Sequence, residues 1–151
     1  WFPALVFVIS AVIAFATGTS WGAMAILVPL VIPIIHGLSI ANGHPVGSET
    51  YGVYLLGTVS SVLAGTVWGD HCSPISDTTI LSSIASGSDH IAHTRTQLPY
   101  ALGIGALGLL IGDVPTAFGM SPWISLAAGT AAIVGGVLWL GGRSDPRPTE
   151  T

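Results

Sequence analysis

Gly69-Asp70-His71-Cys72-Ser73-Pro74-Ile75-Ser76-Asp77-Thr78-Thr79 decides how the chain is read, because it sets two acids, a histidine and a thiol between apolar segments. An ionisable side chain at bilayer depth costs roughly 2.5 to 3.5 kcal/mol on insertion scales, so such residues are normally turned towards a cavity or an ion path. A helix interrupted at mid-membrane leaves carbonyls unpaired on its first half and amides unpaired on its second. Transporters use those ends, together with side-chain oxygens, to hold ions. On this reading the helix of residues 51–68 ends near Gly69, and Asp77 with Thr78 and Thr79 starts a half helix. Ser73, Ser76, Thr78 and Thr79 add neutral oxygens of the hard type that suits an alkali cation. Two plainer roles stand beside this one: Asp77 as an N-cap for the amides of residues 79 and 80, and Asp70 as the ion-pair partner of Arg95 or His71.

Composition supports a membrane setting for that run. Of 151 residues, 50% are apolar and 7% charged, with three Lys and Arg in all, and the mean hydropathy is +0.77. Soluble domains carry about 25% charged residues, so polar surface here is too scarce to cover a water-soluble particle. The net charge of -4 is spread along the chain, whereas a nucleic-acid partner calls for clustered Lys and Arg. The single cysteine, Cys72, excludes an internal disulfide. The chain opens Trp1-Phe2-Pro3 without a basic region before its first apolar run, unlike a signal peptide, and the expectation is that an upstream part precedes it.

Working outward, residues 2–16 and 23–41 are two apolar arms joined by Thr17-Gly18-Thr19-Ser20-Trp21-Gly22. A span needs about 20 residues, so the first arm is short, and the pair is read either as two crossings or as a re-entrant hairpin. Glycines around hydroxyl residues permit a tight reversal that turns carbonyls and hydroxyls towards a site, which makes Thr19 and Ser20 candidate ion ligands; a plain interhelical turn is the alternative. Residues 42–50 form a polar loop, and residues 51–68 a spanning helix on which Gly57, Ser61, Gly65 and Gly69 make a small-residue packing stripe. Residues 78–87 read as a half-length helix with Thr79, Ser82, Ser83 and Ser86 on one side. The polar stretch 88–97 is expected to emerge at the surface, followed by a span over 98–112, a loop over 113–122 and a last span to about Leu140. The domain reading is therefore a transmembrane portion, 1–141, and a cytoplasmic tail, 142–151.

His71, Cys72, His90 and His93 do not have the spacing of a recognised Cys and His zinc cluster, so no metal site is expected apart from a transported Na+. His90 and His93, three residues apart, share a helix face at the water boundary and, with His71, are candidates for pH sensing.

Three blocks of this sequence resemble the NhaC family of sodium/proton antiporters, within the ion transporter superfamily. They are Ala16-Thr17-Gly18-Thr19-Ser20-Trp21-Gly22, the run from Gly69 to Thr79, and the stretch from Asp89-His90-Ile91 through His93 to Arg95-Thr96-Gln97-Leu98-Pro99-Tyr100. The resemblance implies an all-α polytopic membrane protein, part of an inverted-repeat transporter, in which a hairpin tip and a broken helix share a central ion site. It implies Na+/H+ exchange through Asp77 and Asp70 in the service of pH homeostasis, with no cofactor beyond the transported Na+ and H+. On that view the chain is the C-terminal third of a longer polypeptide. Its expected partners are membrane lipid and the upstream part of the same chain, with a homodimer left open and no nucleic acid. Relatives that exchange malate and lactate keep a cation-coupled organic acid antiporter as an alternative. An intramembrane hydrolase, using Asp70 and Asp77 as an acid pair or the histidines and Cys72 as a metal centre, is the other.

Arg95, Arg143 and Arg147 flank two spans on one side, while the loops at 42–50 and 113–121 lack Lys and Arg. The positive-inside rule then puts Arg95 and the tail in the cytoplasm of a multi-pass cell-membrane protein. Single cysteines at Ser48 and Thr149, in a Cys72-free background, are predicted to react with an impermeant reagent from opposite sides; reaction of both from one side would refute the span count.

Overall fold

The computed structural model describes residues 1–141. The tail, with Arg143, Asp145, Arg147 and Glu150, and its expected cytoplasmic placement lie outside the described residues. Everything regular within them is helical: α1 (Phe2–Thr17), α2 (Ser20–Ala41), α3 (Glu49–Cys72), α4 (Asp77–Ala85), α5 (His90–Leu107), a π-helical segment (Gly108–Asp113), α6 (Val114–Ala117) and α7 (Pro122–Leu140). Among the described residues, four stretches are long and apolar enough to cross a bilayer: Ser20–Ala41, Glu49–Cys72, the continuous His90–Ala117, and Pro122–Leu140. The protein is thus a polytopic all-α membrane protein.

Local chemistry sets most helix ends. α1 carries Pro3 in its first turn, where a missing amide costs nothing, and stops at Gly18, whose φ of 67° and ψ of 25° turn the chain left-handed. Thr19 then caps α2, its Oγ1 accepting from the Gly22 amide at 3.3 Å. The expected reversal through Gly22 is therefore shorter, because this cap starts α2 at Ser20 and leaves Gly18 and Thr19 as the turn. Ser48 caps α3 by accepting from the Tyr51 amide at 3.2 Å. The far end of α3 also departs from expectation: it runs past Gly69 to Cys72, so Asp70 and His71 belong to its last turn. Gly69 is no helix stop, and its missing side chain serves a close contact with the Ala11 carbonyl.

A third correction concerns residues 88–122. The Asp89 carboxylate accepts from the Ala92 amide at 2.8 Å and starts α5 at His90. The polar stretch is therefore helical and continuous with the span expected from residue 98. That helix continues through the π-helical segment and α6 to Ala117, which shortens the expected loop to residues 118–121.

The glycine stripe fixes how the first helices meet. Gly57 lies beside Pro3, Gly65 against the Phe7 carbonyl and Gly69 against the Ala11 carbonyl. Numbers rise together on both helices, so α1 and α3 run parallel, with their backbones in contact. α2 returns antiparallel and packs on the pair, and Val6, Ala14, Ala23, Leu27, Val31 and Val62 form the buried apolar centre of the three. α5 runs antiparallel to α3. The Trp68 indole stacks on Phe7 with ring centroids 5.7 Å apart, donates Nε1–H to the Ala101 carbonyl at 2.7 Å, and occupies the space over Gly105. By contrast Ala127, Ala131 and Gly135 on α7 are exposed.

Overpacking a close interface costs about 1 to 3 kcal/mol, and more where backbone must move. Gly65→Leu has to displace the Phe7 carbonyl, whereas Leu63 is 44% exposed and has room for Leu63→Phe. Full-length protein carrying Gly65→Leu is expected to yield much less folded material in detergent than Leu63→Phe; equal losses would remove the stripe as a packing surface.

Candidate ion site at the broken helix

The two segments singled out from sequence meet in space. Ser73, fully buried, donates its hydroxyl to the Phe15 carbonyl at 2.8 Å, tying the break to the last turn of α1. Gly18, at the hairpin tip, lies against Ile75, so closely that a Cβ there would stand 2.7 Å from the Ile75 carbonyl oxygen. Thr19 and Ser20 follow directly, with the Thr19 hydroxyl committed to its cap.

Within the break, backbone groups are largely accounted for. The Ser73 amide donates to the Asp70 carbonyl at 2.9 Å and the Ile75 amide to Ser73 Oγ at 3.3 Å. The Pro74 carbonyl accepts from His90 Nε2 at 2.6 Å. Ser76 occupies the N-cap position of α4 and Asp77 the first helical residue, so Asp77 is not the cap: the extended backbone at Ser76 places the helix start one residue earlier than a capping Asp77 requires. The Ser76 and Thr78 hydroxyls bond each other at 2.8 Å.

The two acids differ sharply in setting. Asp70 is 7% exposed and, among the described residues, its Oδ1 has no hydrogen-bond partner. The expected pairing with Arg95 or His71 is not formed there, because Gln97 takes His71: its amide nitrogen bonds His71 Nε2 at 2.8 Å and donates to the His71 carbonyl at 3.0 Å. Asp77 is exposed, in the first turn of α4, where free amides and the helix dipole favour a negative charge.

His71 and Cys72, adjacent in sequence, look opposite ways. His71 lines a polar cleft of about 260 Å3 with Thr78, Thr79, Ser82, His93 and Gln97. Cys72 lines an apolar groove of about 540 Å3 with Phe7, Ala11, Trp68 and Leu102. Among the described residues no three His, Cys, Asp or Glu side chains are gathered as a metal ion would require, and no hydrogen bond joins Asp70 to Asp77.

His90 and His93 do come together, on Ser83, whose Oγ lies 3.1 Å from His90 Nδ1 and 2.7 Å from His93 Nδ1. Sequence reasoning placed Ser83 on a polar face but did not identify it as a hub, and it passed over Gln97. The available signal was spacing: Ser83 follows Thr79 by one turn on the buried side of α4.

A hairpin turn resting on a helix break, in a chain with several membrane-competent helices, defines a polytopic membrane protein in which two irregular segments meet. The profile of the Na+/H+ antiporter family matches residues 1–112, which take in tip, break and cleft, and the chain belongs to that family. The chain is 41% identical over 132 residues to an uncharacterized protein of Haemophilus influenzae, covering 87% of this chain and 23% of that one. It is 37% identical over 95 residues to an uncharacterized Na+/H+ antiporter of the same organism, covering 60% and 18%. To the malate-2H+/Na+-lactate antiporter of Bacillus subtilis it is 34% identical over 91 residues, covering 60% and 17%. The chain thus spans less than a quarter of these relatives, whose named members are transporters rather than enzymes. No solved structure matches it significantly.

A left-handed backbone costs a residue other than glycine roughly 1 to 2 kcal/mol. Gly18→Ala adds that strain, at φ 67°, to the collision with Ile75. Full-length Gly18→Ala is predicted to unfold in detergent at a clearly lower temperature than wild type, while Gly43→Ala, also left-handed but open to solvent, loses only the backbone term. Equal shifts for the two would show that the tip does not press on the break.

Proposed function

We propose that this chain supplies the ion site of a secondary antiporter that exchanges Na+ for H+ across a cell membrane. The observation that supports it is the Asp70 Oδ1, buried without a partner beside a helix break on which the hairpin tip rests. A buried polar atom that the protein leaves unpaired calls for an occupant, and a carboxylate can take either a proton or a cation.

Asp77 is the primary carboxylate in this reading and Asp70 the secondary one. At the start of α4 the free amides and the helix dipole favour a negative charge, which either a cation or a proton can neutralise. Cation and proton then displace one another, which is exchange in its simplest form. Ser73, Ser76, Thr78, Thr79, Thr19 and Ser20 are the oxygens proposed to complete the cation's shell. His71, His90 and His93 are proposed to set its response to pH, in keeping with a role in pH homeostasis.

Exposed apolar side chains on α4, α5 and α7, among them Ile84, Tyr100 and Trp139, are proposed to face lipid, the remainder of the polypeptide or a second copy in a homodimer. Arg95 and the tail are proposed to face the cytoplasm. A cation-coupled exchange of organic acids is the second reading; the name of the Bacillus subtilis relative favours it.

Asp77→Asn keeps a helix-compatible residue and removes the charge. Sodium-driven pH change in vesicles holding the full-length variant is expected to fall more than about tenfold, which corresponds to loss of at least about 1.4 kcal/mol of ion binding. Asp89→Asn, which still caps α5, is expected to stay within about twofold of wild type. Retained exchange with unchanged pH dependence in Asp77→Asn would overturn the assignment.

A further inference from the structure

Ser83 has one hydroxyl proton and four neighbouring contacts to serve, directly or through its histidines. Its Oγ donates to the Thr79 carbonyl at 2.8 Å, one turn back on α4. His90 Nδ1 and His93 Nδ1 lie 3.1 and 2.7 Å from the same oxygen. The other nitrogen of His90 reaches the Pro74 carbonyl at 2.6 Å. A carbonyl can only accept, so His90 Nε2 carries a proton and the Ser83 proton is spent on Thr79.

With its proton spent, the Ser83 oxygen can serve both imidazoles only as an acceptor. Each Nδ1 must then carry a proton as well. For His93 that is an ordinary neutral tautomer, but for His90 it means protons on both nitrogens. Two neutral histidines and one serine own three such protons, and the four contacts require four. Without the fourth, Ser83 must turn its hydroxyl from Thr79 to His90, or the His90 contact is lost.

We propose that Ser83, His90 and His93 form a proton-binding site, in which one added proton completes the network and fastens α5 and α4 to the broken segment at Pro74. His93 opens onto the polar cleft beside His71 and Gln97, which gives a proton its approach from water. Ser83, 1% exposed, is the buried relay. Other ionisable groups on the elements packed here include Asp70, His71 and Cys72 in the last turn of α3, Asp77 in the first turn of α4, Asp89 at the N-cap of α5, and Arg95 and Tyr100 within α5. None of them hydrogen-bonds to the three. The site therefore gains one positive charge, held by hydrogen bonds alone, a few residues from the proposed ion ligands.

This deepens the exchange reading by giving the break a proton-dependent clamp, and the clamp itself can be tested apart from transport. Full-length protein labelled with 15N-histidine, in detergent, is followed by imidazole nitrogen resonances from about pH 5 to about pH 8, the range in which histidines ordinarily change charge. His90 is expected to pass from one protonated nitrogen to two, and His93 to shift at the same midpoint because both share Ser83. Ser83→Ala should abolish that common midpoint and Ser83→Thr, which keeps the hydroxyl, should restore it. A single tautomer of His90 throughout, or coupling that survives Ser83→Ala, would overturn the proposal. If Ser83→Ala does not fold, His93→Phe replaces it, and an unaltered His90 midpoint there overturns the proposal equally. Coupled titration in a protein that shows no exchange would leave the proton site standing and remove the antiport reading; exchange without coupled titration would do the reverse.

Discussion

A helix that stops within a packed bundle frees backbone groups that must find partners, because a buried one left unpaired is costly. The architecture around residues 73–76 answers that constraint. Ser73 does two things at once, receiving the Ile75 amide on its oxygen and giving its proton to the Phe15 carbonyl. His90, from a helix that begins beyond the break, covers the Pro74 carbonyl. The Ile80 amide reaches back to the Ser76 carbonyl at 3.0 Å and begins α4. Irregular backbone survives here because three separate elements, α1, α3 and α5, each bring a partner to it.

The same residues explain why so much of the polar inventory is already committed. Thr19 caps α2, Ser76 and Thr78 engage each other, and Gln97 is spent on His71. The buried side-chain atoms that stay uncommitted among the described residues are Asp70 Oδ1 and the hydroxyls of Ser10, Ser39 and Thr58. The last three sit on helix faces where an unpaired hydroxyl costs far less than an unpaired carboxylate. Asp70 is the one whose isolation carries chemical weight.

The break, the hairpin and the last span were legible from sequence because each is punctuated locally: Pro74 between serines, Gly18 before Thr19, and Pro122 at the head of an apolar run. The bounds of α7 follow from that last signal. Misreadings arose where one residue type serves two purposes. Gly69 reads as a helix stop, yet it is a contact point for the Ala11 backbone, and only the partner helix reveals which. Asp89 looked like one more polar residue in a surface stretch, although an aspartate three residues before a free amide is also a helix start. The π-helical segment at Gly108–Asp113 has no local signature in this sequence. Likewise Ser83 as a hub depends on α4 and α5 folding onto one another, a relation that spacing along either helix does not contain.

Where glycine lets the α1 and α3 backbones touch, no layer of side chains lies between them to deform. The small positions recur at Gly57, Ser61, Gly65 and Gly69, one helical turn apart, and the opposing carbonyls of Phe7 and Ala11 follow the same pitch. Such a contact behaves like a toothed rack. A slip of a single residue would bring the side chain of Ala64, Thr66, Trp68 or Asp70 over a carbonyl, so the two helices can be displaced along one another only by whole turns or carried together as one rigid strut. Ser73 at the end of that strut keeps its distance to Phe15 for the same reason, and any rearrangement around the site has to be taken up by the lightly held α4 and its neighbour.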